Sequence, residues 1–150
     1  MDNKEWLRIV GIGLGTGLLL SVLYKLIEKT TGNKVYTLLL NVDYIPVFKE
    51  FEFPESAEVS FHLVVSIGLC FVLFFVIRKL RVTRIILFCS AINVGIGMLL
   101  YPTTAFSERT PPIDSIPSVS YWLIGHLIYG VLVGIALRAS VKGNFNSKVR

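Results

Sequence analysis

Four apolar stretches, at 6–27, 59–77, 82–101 and 120–137, decide what this chain can fold into. Each approaches or exceeds the roughly 20 residues that a helix needs to cross the hydrocarbon core of a bilayer. No Asp, Glu, Lys or Arg lies within 59–77, 85–101 or 120–137. In hydrocarbon, every backbone N–H and C=O must be satisfied within the protein, which leaves the helix for isolated runs of this length. The sequence therefore predicts an all-α, polytopic membrane protein: four transmembrane helices in a single domain, residues 1–150. Charged residues make up 17% of the chain, against roughly 25% in soluble domains, and they are confined to loops and ends.

The charges predict a topology. The connection 28–58 carries Glu28, Asp43, Glu50, Glu52, Glu55 and Glu58 against Lys29, Lys34 and Lys49, a net −3. The connection 102–119 carries Glu108, Arg109 and Asp114, a net −1. The turn holding Arg78, Lys79, Arg81 and Arg84 and the tail holding Arg138, Lys142, Lys148 and Arg150 are +4 each. Cytoplasmic loops collect Lys and Arg. The turn and both termini are thus expected in the cytoplasm and the two long connections outside, in an inner or plasma membrane. The first run is expected to be retained, because 1–5 is near neutral and Leu20, Val22, Leu23 and Tyr24 stand where a signal would need small residues. The overall charge of +5 reflects this membrane flanking. No basic cluster with interleaved aromatics suggests nucleic acid.

Glycines predict close helix packing. Gly11 and Gly15, Gly13 and Gly17, and Gly130 and Gly134 form three GxxxG pairs. In lipid, small residues let backbones approach, and that contact holds helices together. Each glycine costs about 1 kcal/mol of helix propensity relative to alanine, so the first run is expected to pack on the second or fourth, or on a second copy. The two halves also look alike. His62-Leu-Val-Val-Ser66 aligns with His126-Leu-Ile-Tyr-Gly130, which suggests a parallel repeat of two hairpins. Trp6, Tyr121 and Trp122 are read as interfacial aromatics. The segment 35–48 is too short to span and is interrupted by Asn41, Asp43 and Pro46; a short extra helix capping the bundle is expected there. Ser56 and Glu58 are placed at the start of the second span, and Pro102 at the end of the third. Pro111, Pro112 and Pro117 favour extended or turn geometry.

Polar groups at membrane depth are the candidate site. His62 and His126 are the only histidines, and Asn93 lies near mid-span. Ionisable groups inside a span mark function by default; the plainer reading is a hydrogen bond to a neighbouring helix. Two histidines make a thin metal site, to which Asp43 or Glu58 would have to add ligands. No cofactor or metal is assigned. Cys70 and Cys89 are not spaced as a redox pair, and no serine stands in a hydrolase motif.

Gly125-His126-Leu127, Tyr129-Gly130, Gly134 and the proline-rich connection resemble the small, uncharacterised bacterial inner-membrane proteins of the YagU and YqhR kinds. The resemblance implies a four-helix membrane fold and no particular activity. Three functions fit these residues. The first is a non-enzymatic accessory, regulatory or partner-binding protein that sits in the lipid bilayer and binds or regulates another membrane component, with a protein partner or self-association expected. The second is a small oligomeric transporter or channel using His126 and Asn93. The third is a membrane enzyme acting on a lipid or envelope substrate through His62, His126 and carboxylates of the outer connections.

Overall fold

The computed structural model describes residues 3–43, 45, 47, 48, 51 and 53–147, with side chains as far as 141. The described residues form helices and no strands: α1 (Asn3–Thr31), α2 (Val35–Leu40), α3 (Glu55–Lys79), α4 (Ile85–Leu100), a 3-10 helix (Tyr101–Phe106) and α5 (Ile116–Ser147). Four units are long and apolar enough to cross a membrane: α1, α3, α4 with its 3-10 extension, and α5. The chain is a multi-pass membrane protein. The extra helix is α2, and it is shorter than the 35–48 segment; Tyr44 and Pro46 lie outside the described residues.

The ends of the helices follow local chemistry. α1 stops at Gly32, whose φ of 75° is the left-handed conformation that glycine adopts without strain. Its N–H donates to the Glu28 carbonyl at 2.9 Å. The Glu28 carboxylate then accepts from the Thr37 N–H and hydroxyl, both at 2.8 Å, and so satisfies a free amide at the start of α2. α3 ends in a Schellman motif, with the Val82 N–H donating to the Ile77 carbonyl at 3.1 Å. The left-handed position is filled by Arg81, at φ 51°. α3 begins after Pro54 without a side-chain cap, so Ser56 does not cap it. Pro102 does not end the third span either, because the chain continues in the 3-10 helix. α5 begins at Ile116, ahead of the expected 120. Pro117 fits in its first turn, where its missing N–H would lack a helical partner anyway, and Ser115 Oγ accepts from the Ser118 N–H at 3.4 Å.

Two hairpins build the bundle. α1 packs on α3 and α4 packs on α5, while α1 also lies along α5 and joins the pairs; α3 and α4 barely touch. Glycines make the close contacts. A Cβ at Gly13 would fall 2.6 Å from Ile67 Cα, and one at Gly17 would fall 2.8 Å from Ser66 Oγ, both on α3. A Cβ at Gly130 would lie 2.7 Å from Ser90 Cα, and one at Gly134 would lie 2.7 Å from Ile86 Cα, both on α4. Gly11 and Gly15 make no such contact within the chain: a Cβ at either meets nothing within 4 Å. Two residues along a helix turn the side chain by roughly 200°, so the two pairs on α1 point in opposite directions.

The end of the bundle that carries the two long connections is tied across the hairpins. Arg109 reaches Glu58 Oε1 at 3.1 Å and Asp43 Oδ1 at 3.6 Å. Ser107 donates to Asp43 at 2.7 Å, and Ser118 to Asn33 at 3.0 Å. Lys25 pairs with Glu55 at 2.5 Å. The Tyr36 hydroxyl donates to the same carboxylate at 2.6 Å, and burial, followed by that carboxylate, holds the phenol above its ordinary range. At the opposite end Arg78 meets Glu5 at 2.9 Å.

Candidate functional site

Each packing seam follows a repeat of fours and threes. On α1 the stripe is Gly13, Gly17, Leu20 and Tyr24; on α5 it is Trp122, His126, Tyr129, Val133 and Leu137. All of these are buried. The polar members find partners across the seam, as buried polar groups must. The Tyr24 hydroxyl lies 2.5 Å from the Trp122 carbonyl and 2.8 Å from His126 Nδ1. Two oxygens that close need a proton between them, and only the phenol has one, so Tyr24 donates to Trp122. His126 Nδ1 therefore carries a proton and donates toward the Tyr24 oxygen and the Trp122 carbonyl, the latter at 3.0 Å. This assigns the tautomer from the network. It leaves His126 Nε2 as an acceptor, which makes no hydrogen bond to a described residue.

A second chain runs beside the first. Ser66 Oγ donates to the Gly13 carbonyl at 2.7 Å, so the Tyr129 hydroxyl donates to Ser66, also at 2.7 Å. Each histidine also meets a glycine of a neighbouring helix, in a different way. In the first hairpin, His62 Nε2 sits 3.2 Å from the Gly17 carbonyl. In the second, a Cβ at Gly97 would lie 3.0 Å from the His126 ring, and the Trp122 indole N–H donates to the Gly97 carbonyl at 2.8 Å. Trp122, only 2% exposed, is therefore a core residue. The expectation of an interfacial belt fails for it because it falls on the inward stripe of α5.

His62, Ser66, Trp122, His126 and Tyr129 line a cavity of about 130 Å³. α3 supplies Glu58, Phe61, His62, Val65, Ser66 and Leu69; α4 and its extension supply Asn93, Ile96, Leu100 and Thr103. Trp122, His126 and Tyr129 of α5 form the back, Leu20 of α1 adds to it, and residues 38–42 form the cap. Val65 and Leu100, on opposite walls, are 67% and 39% exposed, and α3 and α4 do not close on each other. The cavity therefore opens sideways between them.

His62, His126 and Asn93 are brought together as lining residues, while Asp43 is not among them. Asp43 is held instead by Ser107 and Arg109 in the connection above. The carboxylate that does reach the cavity is Glu58. Among the described residues, no group of three His, Cys, Asp or Glu side chains could hold a metal ion.

Two buried atoms of the lining lack partners: Asn93 Oδ1 and Asn41 Nδ2. The Asn93 amide cannot be turned round, because its Nδ2 donates to the Cys89 carbonyl at 2.8 Å, a position that only a donor can occupy. Comparison with protein-family models, curated proteins and solved structures finds no match. Trp122, Tyr129 and Asn41 were not legible as parts of the cavity from residue type, nor was Tyr24 as the residue that holds His126 from behind. The four-three spacing around Gly17 and His126 is the signal that finds Tyr24, Trp122 and Tyr129.

Proposed function

We propose that this chain is a non-enzymatic protein of a cell membrane that holds a membrane-borne amphiphile in the cavity between α3 and α4. The observation that carries the reading is the side opening: apolar and exposed at its rim, polar at its back, on a bundle whose other three helix contacts are closed. A ligand arriving through that gap keeps its chain among lipids while its head enters the protein. Binding is favoured over catalysis because the lining hydroxyls of Ser66, Thr103 and Tyr129 already donate within the protein and leave the free His126 Nε2 no hydroxyl nucleophile to activate. His126 Nδ1 is tied to Tyr24 and Trp122, and Ser66 and Tyr129 hydrogen-bond each other. The basic turn at 78–84 orients the chain with its termini in the cytoplasm; the cavity then lies in the leaflet facing away from it.

Native mass spectrometry of protein released from lipid nanodiscs tests this. The expected spectrum shows one acyl lipid retained per chain after mild delipidation, and its loss in Ile96→Trp, which fills the cavity. Protein without a retained lipid, or retention that Ile96→Trp leaves unchanged, refutes the reading.

A further inference from the structure

We infer that the head group of this ligand is a hydrogen-bond donor, a hydroxyl- or amide-bearing head of about six heavy atoms, received by Asn93 and His126. The inference rests on the binding role proposed above and adds the chemistry of the ligand. Asn93 is 1% exposed and sits at mid-span, where water is scarce, with a carbonyl oxygen that no described group satisfies. Leaving an amide oxygen unpaired in an apolar setting costs on the order of 1–3 kcal/mol. Its orientation is fixed by the bond to Cys89, so it can only accept. His126, 5% exposed, spends its Nδ1–H on Tyr24 and Trp122, and its Nε2 is likewise an acceptor. Both residues line the cavity.

Two acceptors and no free donor at this depth select a ligand that brings O–H or N–H groups. A carboxylate or phosphate pressed against them would meet lone pairs. The one buried unpaired donor among the described lining residues, Asn41 Nδ2, lies in the cap, where it suits an ester or ether oxygen at the junction of head and chain. Size agrees. An apolar cavity of about 150 Å³ accommodates benzene, and the 130 Å³ here suits a glycerol-sized head with its chain left in the gap. The Glu58 carboxylate does not change this selection, because Arg109 neutralises it at 3.1 Å.

Trp122, which lines the cavity, is the reporter, and Trp6→Phe leaves it the only tryptophan. In phosphatidylcholine nanodiscs, a monoacylglycerol with a brominated chain is titrated against the methyl ester of the same brominated acid, which has no donor. The monoacylglycerol should quench Trp122 saturably and about tenfold more tightly than the ester. Asn93→Leu should reduce that preference to about twofold, with the ester unaffected. Equal binding of the two in the parent protein overturns the inference while the binding role stands, and this comparison needs no substitution at the site. If neither ligand quenches saturably, the binding role and the inference fall together. A preference that persists in folded Asn93→Leu also overturns the assignment to Asn93.

Discussion

The two glycine pairs of α1 offer a matched experiment on what holds the first hairpin together. A Cβ at position 13 would stand 2.6 Å from Ile67 Cα, where carbon atoms prefer about 3.5–4.0 Å. Backbone cannot swing aside, so Gly13→Ala must move α1 and α3 apart by about 1 Å. Overpacking of this kind costs about 1–3 kcal/mol. The displacement also stretches the 2.7 Å bond from Ser66 to the Gly13 carbonyl, worth about 1 kcal/mol. Against this stands a gain of about 1 kcal/mol in helix propensity, for a net loss of about 1–3 kcal/mol. Gly15→Ala, where the new methyl meets nothing within 4 Å, keeps only the gain. The two variants should thus differ by about 2–4 kcal/mol in opposite directions. Reversible unfolding in mixed micelles of dodecyl maltoside and dodecyl sulfate, followed by circular dichroism, measures both. If Gly13→Ala unfolds at the same detergent fraction as Gly15→Ala or a higher one, the packing argument is wrong.

Two further outcomes follow from the connections. Arg81 occupies a left-handed position, at φ 51°, that glycine adopts freely, so Arg81→Gly should raise stability in the same assay by up to about 1 kcal/mol. At the opposite end, Arg109 is half exposed but faces the buried Glu58. Arg109→Gln should therefore cost more than Glu58→Gln, because it leaves a buried carboxylate uncompensated. A double-mutant cycle should give a coupling of about 1 kcal/mol that shrinks as salt is added; a coupling near zero at low salt contradicts the clamp.

The helix count and the class were legible because hydrocarbon leaves a long apolar run little choice but a helix. Helix ends were less so. Pro117 reads as a helix breaker in isolation, yet it sits in the first turn of α5, where the N–H it lacks has no helical partner. Counting GxxxG pairs identified small residues without giving their direction; the helical angle between Gly13 and Gly15 separates the packed pair from the open one. Of the candidate site, His62, His126 and Asn93 stood out because polar groups are expensive at depth. The choice of Glu58 over Asp43 was not legible, since it depends on how the connection folds around Arg109. Tyr24 and Trp122 read as interfacial or ordinary aromatics by type, and only their place on the seam, at the spacing of Gly17 and His126, marks them as the groups that fix the histidine.

The central claim is that the bundle stands open to lipid between α3 and α4. Spin-label accessibility tests it most directly. In a Cys70→Ala, Cys89→Ala background, nitroxides are placed one at a time at Val65 and Ile96 on the two walls, at exposed Leu19, and at Val133, which is 0% exposed. Collision with dissolved oxygen, which concentrates in the bilayer, is then measured by power saturation. The account predicts that the two wall positions resemble Leu19. Values as low as at Val133 on both walls mean that another helix or a second copy seals the gap, and that result contradicts it.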